Sequence, residues 1–341
     1  MRTPSELPSD LRWRPFSVDA GRASGVTDQR MRGRDLRRPH RAVRVPPGVF
    51  GGTSDRPGSD SGSDIGSDIG TGIGTGIDEL LARCHAYATI MRSSQFFSHV
   101  TAARLWGLPV APWSPGELLD VAEPAPLRAP RVTGVRGHQF EDVRVRVLER
   151  HGLRVADPVS TFLHLARAVD HGRLVAVGDH LVRVPRVADS DGLRPFCTRA
   201  ELAARLDGHR GRGRRAAVLA VGRVRDGVDS PQETRLRLLL VDGGFPEPLT
   251  DVRVTDEAGG VVTWLDMFYP GLRLAVEYDG QQHRTSDRQF ARDGERIEQL
   301  RGLDIGLVRV ERTAMSGPGV AALRAVESRM REHGWPDRSA L

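Results

Sequence analysis

Apolar and polar positions alternate most clearly over residues 261–283, VVTWLDMFYPGLRLAVEYDGQQH. Two runs of β-branched and aromatic residues flank Tyr269-Pro270-Gly271-Leu272, which predicts two strands joined by a tight turn. Upstream, Ser230-Pro231-Gln232-Glu233 is a capping box with proline at the first helical position. The helix it starts carries an apolar stripe of Leu236, Leu239 and Leu240 and stops at Gly243-Gly244. Residues 251–255 predict a further strand. A helix from Ser286 or Asp287 turns Phe290, Ile297 and Leu300 to the core and sets Arg292, Arg296 and Gln299 on another face. A strand over 304–310 and a helix over 319–334 complete the order αβββαβα across residues 230–335.

The pattern ahead of this block is more broken. Residues 1–13 are polar and Pro-rich. Residues 18–24 predict a short helix, Gly25 a turn, and Thr27 the cap of a second helix through Met31, with a strand over 41–45. Two short helices and a strand suit a winged helix-turn-helix over 14–50, with Gln29, Arg30 and Arg32 toward DNA; a small helical cap with solvated arginines has the same signature. Residues 51–77 are a Gly/Ser/Asp/Thr tract whose burial cannot offset its ordering entropy, so a disordered linker is expected. A middle α+β domain follows over 78–185. Its helices are expected over 79–91, 98–107 (capped by Ser98), 157–169 and 174–182, and its strands over 118–122 and 143–148. His99, His164 and His180 have no ligand-pair spacing and read as surface or core histidines. Residues 186–229 form an Arg/Gly-rich connector with helices from Thr198 to Leu206 and over 215–221. Its cluster at 210–215 suits either a phosphate backbone or a solvated loop. The fold class is therefore multidomain, α+β and α/β.

Composition narrows the chemistry. The chain has 50 basic and 44 acidic residues, a formal charge of +6. Every basic residue is arginine; Lys and Asn are absent. Any mechanism needing a catalytic lysine is excluded, and the positive balance permits nucleic-acid binding without requiring it. Cys84 and Cys197 are the only cysteines and have no partner motif, so no disulfide framework or zinc site is expected. No apolar run approaches the roughly 18 residues needed to span a bilayer, and no signal-peptide core is visible at the N-terminus. A soluble cytoplasmic protein without a membrane partner is expected.

Carboxylates stand where a buried strand should be apolar. Asp266 interrupts the first strand of the hairpin, and Glu277 and Asp279 the second. Pairing Phe268 with Arg273 sets Asp266 opposite Ala275, with Glu277 its diagonal neighbour at about 7–8 Å on one sheet face. Such carboxylates repel unless a cation lies between them. Asp266 and Glu277 are thus candidate ligands for Mg²⁺ or Mn²⁺.

These motifs, Ser230-Pro-Gln-Glu-Thr-Arg-Leu-Arg237, Leu265-Asp266, Val276-Glu-Tyr-Asp-Gly280 with His283, and Arg292-Asp293 with Arg296, resemble the restriction-endonuclease-like (PD-(D/E)XK) fold. The likeness is greatest to its very-short-patch-repair (Vsr-like) branch and a related family of uncharacterised endonuclease-like domains. The resemblance implies metal-dependent phosphodiester hydrolysis. His283 would take a water proton, Asp279 stands at the wider fold's lysine position, and Glu233 matches a carboxylate some members use from the first helix. Arg292 or Arg296 would clamp phosphate. Upstream, Phe16-Ser-Val, Asp35-Leu36 and Arg41-Ala-Val resemble the winged-helix module of the AbiEi-type antitoxin family. Ser98-His-Val-Thr-Ala-Ala, Leu105-Trp-Gly-Leu108, Gly152-Leu153, Asp157-Pro158 and Thr161 resemble the domain that follows it. DNA is the implied partner, and two functions are in contention: a DNA-targeted nuclease, and a catalytically silent DNA-binding regulator.

Overall fold

The computed structural model describes residues 4–49, 73–141, 144–187, 191–255, 259–280 and 287–336. The fold is mixed α and β. It divides into two compact units, one up to Ala168 with His209–Arg212 and one of Val169–Gly208 with the chain from Gly213 onward.

The N-terminal unit begins with β1 (Phe16–Ser17), α1 (Val18–Ala23), α2 (Asp28–Met31) and β2 (Val43–Arg44). Ser17 and Thr27 cap the two helices by accepting the backbone N–H groups of Ala20 and Arg30. The strand expected over 41–45 shrinks to the two residues that pair with β1. Val43 and Val45 pack with Ala86, and the His40 ring donates to the Thr133 carbonyl at 3.0 Å. The first fifty residues thus pack directly on the rest of their unit. Most of the expected linker lies outside the described residues; its last five are helical in α3 (Ile73–Ala88).

Next come β3 (Phe96–Phe97), α4 (His99–Leu105), β4 (Leu119–Pro124), β5 (Val135–Phe140), β6 (Val147–Arg150), β7 (Leu153–Ala156) and α5 (Pro158–Leu165). The strands form one sheet in the order β5-β4-β3-β7-β6. Asp157 caps α5 as expected. Ser98 precedes α4 without capping it: its hydroxyl bonds the His99 ring instead. The scattered histidines are not all apart. His99 stacks on His138 at 3.7 Å and lies 5.2 Å from His164, and His138 bonds the buried Asp120 at 2.9 Å.

The C-terminal unit holds α6 (His171–Val182), α7 (Arg199–Gly208), α8 (Arg214–Val221), α9 (Pro231–Asp242), β8 (Leu249–Thr255), β9 (Val261–Tyr269), β10 (Leu274–Asp279), α10 (Asp287–Gly302), β11 (Gly306–Glu311) and α11 (Val320–Glu332). From α9 onward the order is helix, three strands, helix, strand, helix, as the pattern predicts. The sheet runs β11-β10-β9-β8; β10 pairs parallel with β11, and the other pairs are antiparallel. The parallel pair follows from α10, which carries the chain back across the sheet. Leu274 and Val276 of β10 pack with Leu236 and Leu240 of α9 and Val326 and Met330 of α11. Ala275 packs on the opposite side with Leu300 of α10. Period-two alternation in β10 therefore sends Glu277 to the α10 side.

Candidate functional site

The hairpin register decides the geometry. Tyr269 pairs with Leu274, Phe268 with Ala275 and Met267 with Val276. Pro270–Leu272 form a single 3-10 turn, and Arg273 takes a left-handed conformation at φ 48°. The turn thus holds Arg273, and pairing starts one residue later than expected. The expected partner of Phe268, Arg273, is replaced by Ala275. Continuing the observed register by one step sets Asp266 opposite Glu277 itself. A slip of two residues preserves the face, whereas a slip of one would reverse it. The diagonal pair becomes a direct one, and directly opposed residues sit closer.

Two carboxylates act on a third here. Burial first, then the carboxylates of Glu233 and Glu277, push the Asp266 carboxyl up to about 7. Two groups oppose that rise: the Tyr278 N–H, which donates to Asp266 Oδ2 at 3.3 Å, and Arg296. Burial also raises Glu233, against a hydrogen bond from the Asp229 N–H at 2.8 Å. Ser230 Oγ accepts the Glu233 N–H at 3.2 Å. Glu233 thus completes its helix cap and faces the site at once, as a carboxylate at N3 can.

Glu277 is only 8% exposed. Arg296 approaches it as a two-pronged fork, Nη1 donating to Oε2 at 3.0 Å and Nη2 to Oε1. Nε of the same guanidinium donates to Thr263 Oγ1 at 2.6 Å, and Nη2 also to the Trp264 carbonyl at 3.2 Å. This corrects the helix reading. Arg296 lies one turn before Leu300 on the buried side of α10, while Gln299 is exposed. Spacing i, i+4 was the available signal; a guanidinium on a core-facing stripe needs a buried anion.

Asp279 ends β10 beside Glu311 of β11 in the parallel register. His283 and the side chain of Arg292 lie outside the described residues. Arg30 is held within its own module by a fork to Asp35 at 2.7 and 3.0 Å and by the Ser5 carbonyl at 2.5 Å. Arg32, at the end of the four-residue α2, and Gln29 are exposed.

Sequence reasoning missed a second ionic cluster in this unit. Arg237 of α9 is almost fully buried and donates to Asp179 Oδ2 at 3.0 Å and Glu247 Oε1 at 2.7 Å. Asp179 also accepts from Thr234 Oγ1 at 2.8 Å and the Arg225 N–H at 2.7 Å. An arginine between Leu236 and Leu238 was the only hint.

A divalent cation fits the donor set in kind. Asp266, Glu277 and Glu233 offer hard oxygens, and Mg²⁺ is commonly held by one or two carboxylates with water and phosphate completing its shell. Among the described residues no group of three His, Cys, Asp or Glu side chains is arranged to hold a metal ion. Of the three carboxylates, Asp266 and Glu277 are the pair that the hairpin register sets opposite each other.

The chain is similar to two uncharacterized proteins of Mycobacterium tuberculosis, MT2308 of strain CDC 1551 / Oshkosh and Rv2248 of strain H37Rv. Each is 27% identical over 227 residues, covering 66% of this chain and 77% of its own length. No protein-family model matches the chain, and no solved structure matches it significantly.

Proposed function

We propose that the C-terminal unit is a metal-dependent phosphodiesterase acting on DNA, built on a restriction-endonuclease-like core of the Vsr-like kind. The single observation that carries this reading is the placing of Asp266 on β9 against the buried Glu277 on β10, at the middle of a sheet and within the influence of Glu233. Structural ion pairs balance their charges, whereas an acidic excess held in place by the fold is characteristic of sites that receive a cation. The order αβββαβα and the carboxylates on its second and third strands support the same reading.

In this mechanism Asp266 and Glu277 would hold Mg²⁺ or Mn²⁺, which would supply a lowered pKa to a water and countercharge to the phosphate. His283, six residues beyond Glu277, accepts the proton of the attacking water. Glu233 adds negative charge beside Asp266, and Arg292 contacts the phosphate. The winged-helix-like module and the AbiEi-like domain of the N-terminal unit bring the nuclease to DNA, with Arg32 among the residues that touch it.

One observation favours a second reading. Arg296 already satisfies both oxygens of Glu277, as in a permanent structural pair, which suits a catalytically silent DNA-binding regulator. Incubation with plasmid, linear and mismatched DNA, and with RNA, in Mg²⁺, Mn²⁺ or EDTA separates the two. The nuclease reading expects cleavage by wild type that EDTA, Asp266→Asn or Glu277→Gln abolishes. Cleavage that survives both substitutions misplaces the site. Wild type binding DNA but inert with every ion establishes the regulator.

A further inference from the structure

We infer that the Arg296 guanidinium stands where a divalent cation meets Glu277, so that loading the site is an exchange of guanidinium for metal ion. The inference rests on the nuclease reading. Its ground is geometric. Arg296 reaches both Glu277 oxygens, through Nη1 at 3.0 Å and through Nη2. A carboxylate engaged by a two-pronged guanidinium presents its oxygens to that fork, and a cation arriving at the same oxygens meets a positive group already there. The arginine is also positioned from behind by Thr263 Oγ1 at 2.6 Å and the Trp264 carbonyl at 3.2 Å, both on β9, the strand that carries Asp266. The fork therefore spans the same two strands that would share the cation.

The exchange has an energetic logic. Without a positive partner, Glu277 would be a buried carboxylate opposite Asp266, an unfavourable arrangement. Arg296 neutralises one charge and keeps the metal-free sheet intact. The apparent affinity for metal falls by the fraction of molecules in which Arg296 is undocked. Release requires rotation of one long side chain, since Leu300 anchors α10 a turn further on. The freed guanidinium remains tethered beside the site, where the anion it next meets is the phosphate of the substrate. Metal and nucleic acid then assist each other's binding, because each takes one partner of the same ion pair.

The test uses the full chain. Mn²⁺ affinity is measured by calorimetry for wild type, Arg296→Gln and Arg296→Lys, each checked for folding by its thermal transition. Exchange predicts that Arg296→Gln binds Mn²⁺ about tenfold more tightly, as expected if docking occupies about nine molecules in ten. Arg296→Lys keeps the charge but loses the fork, and it should fall nearer to the glutamine variant than to wild type. In wild type, Mg²⁺ titration should move the Arg296 Nε–H resonance, assigned by its absence from Arg296→Gln, in step with occupancy. Equal or weaker Mn²⁺ binding by a folded Arg296→Gln overturns the exchange. So does an Nε–H resonance unmoved at saturation. If wild type cleaves DNA while that resonance stays fixed, the exchange is wrong and the nuclease reading stands. If no variant binds Mn²⁺, both fall. Should Arg296→Gln fail to fold, Arg296→Lys supplies the affinity arm and the resonance is assigned from its spectrum.

Discussion

Asp179–Arg237 and Glu277–Arg296 are both buried carboxylate–guanidinium pairs in the C-terminal unit, yet their surroundings differ in charge balance. Around Arg237, two carboxylates, Asp179 and Glu247, meet two arginines, because Arg225 also bonds Glu247 at 3.0 Å. A backbone N–H and a threonine hydroxyl complete Asp179. Around Asp266, three carboxylates meet two arginines, Arg296 forked to Glu277 and Arg183 near Glu233, and burial with the two neighbouring carboxylates raises Asp266. The first cluster is a closed structural joint between α6, α9 and the segment leading to β8. The second is held together by the fold against its own repulsion. Residue types alone do not distinguish them; the count of charges per site does.

Substitution of the two arginines should separate the clusters most strongly. Arg237→Met leaves Asp179 buried and unpaired, and should cost about 3–5 kcal/mol in urea unfolding. Arg296→Gln should cost less, because that side chain and its acceptors are nearer solvent, and Mn²⁺ should restore much of the loss. Equal costs, insensitive to Mn²⁺, would make both clusters structural.

The pH dependence should be the next largest effect. Asp266 has a native pKa near 7 against about 3.9 when unfolded. Between those values the native state keeps a proton that the unfolded state loses, so the contribution of Asp266 to stability is full below pH 4 and is lost as pH rises through 7. The stability of Asp266→Asn relative to wild type should therefore rise between pH 4 and 7 and then level off. A flat difference across that range would show that Asp266 is not held among unneutralised carboxylates.

Metal should act in the opposite sense. Binding needs ionised Asp266, so the Mn²⁺-induced rise in melting temperature should grow as pH passes 7. At a hundred times the dissociation constant the stabilisation amounts to about 2.7 kcal/mol. Asp266→Asn and Glu277→Gln should abolish it, while Arg237→Met should leave it intact.

The smallest effect concerns the exposed arginines at the start of α8. Replacing Arg212, Arg214 and Arg215 should flatten the slope of log K against log salt for DNA, by about 0.9 for each phosphate no longer neutralised. An unchanged slope, read by fluorescence anisotropy, returns them to a solvated surface.

Much of the C-terminal fold was written in local pattern. The Ser230 cap, the Pro270 turn and the period-two runs around it depend on neighbours in sequence, so αβββαβα could be assigned without coordinates. The N-terminal unit was less legible. Its β3 has only two residues, β5 alternates weakly, and both are made strands by partners far along the chain. Short strands are stabilised by cross-strand packing rather than by their own propensity.

By itself the sequence determined that carboxylates would share one face of the hairpin, because side-chain alternation survives a two-residue slip in register. Tertiary structure alone decided that Asp266 faces Glu277, because Tyr269 joins the strand and the left-handed Arg273 joins the turn, which moves the four-residue turn one position along the chain. It also decided that Arg296 serves Glu277, since only the packing of α10 across the sheet brings a side chain nineteen residues away onto that carboxylate. The burial of Arg237 was settled in the same way. A charge within a helix reveals its partner only when the elements that surround it have closed.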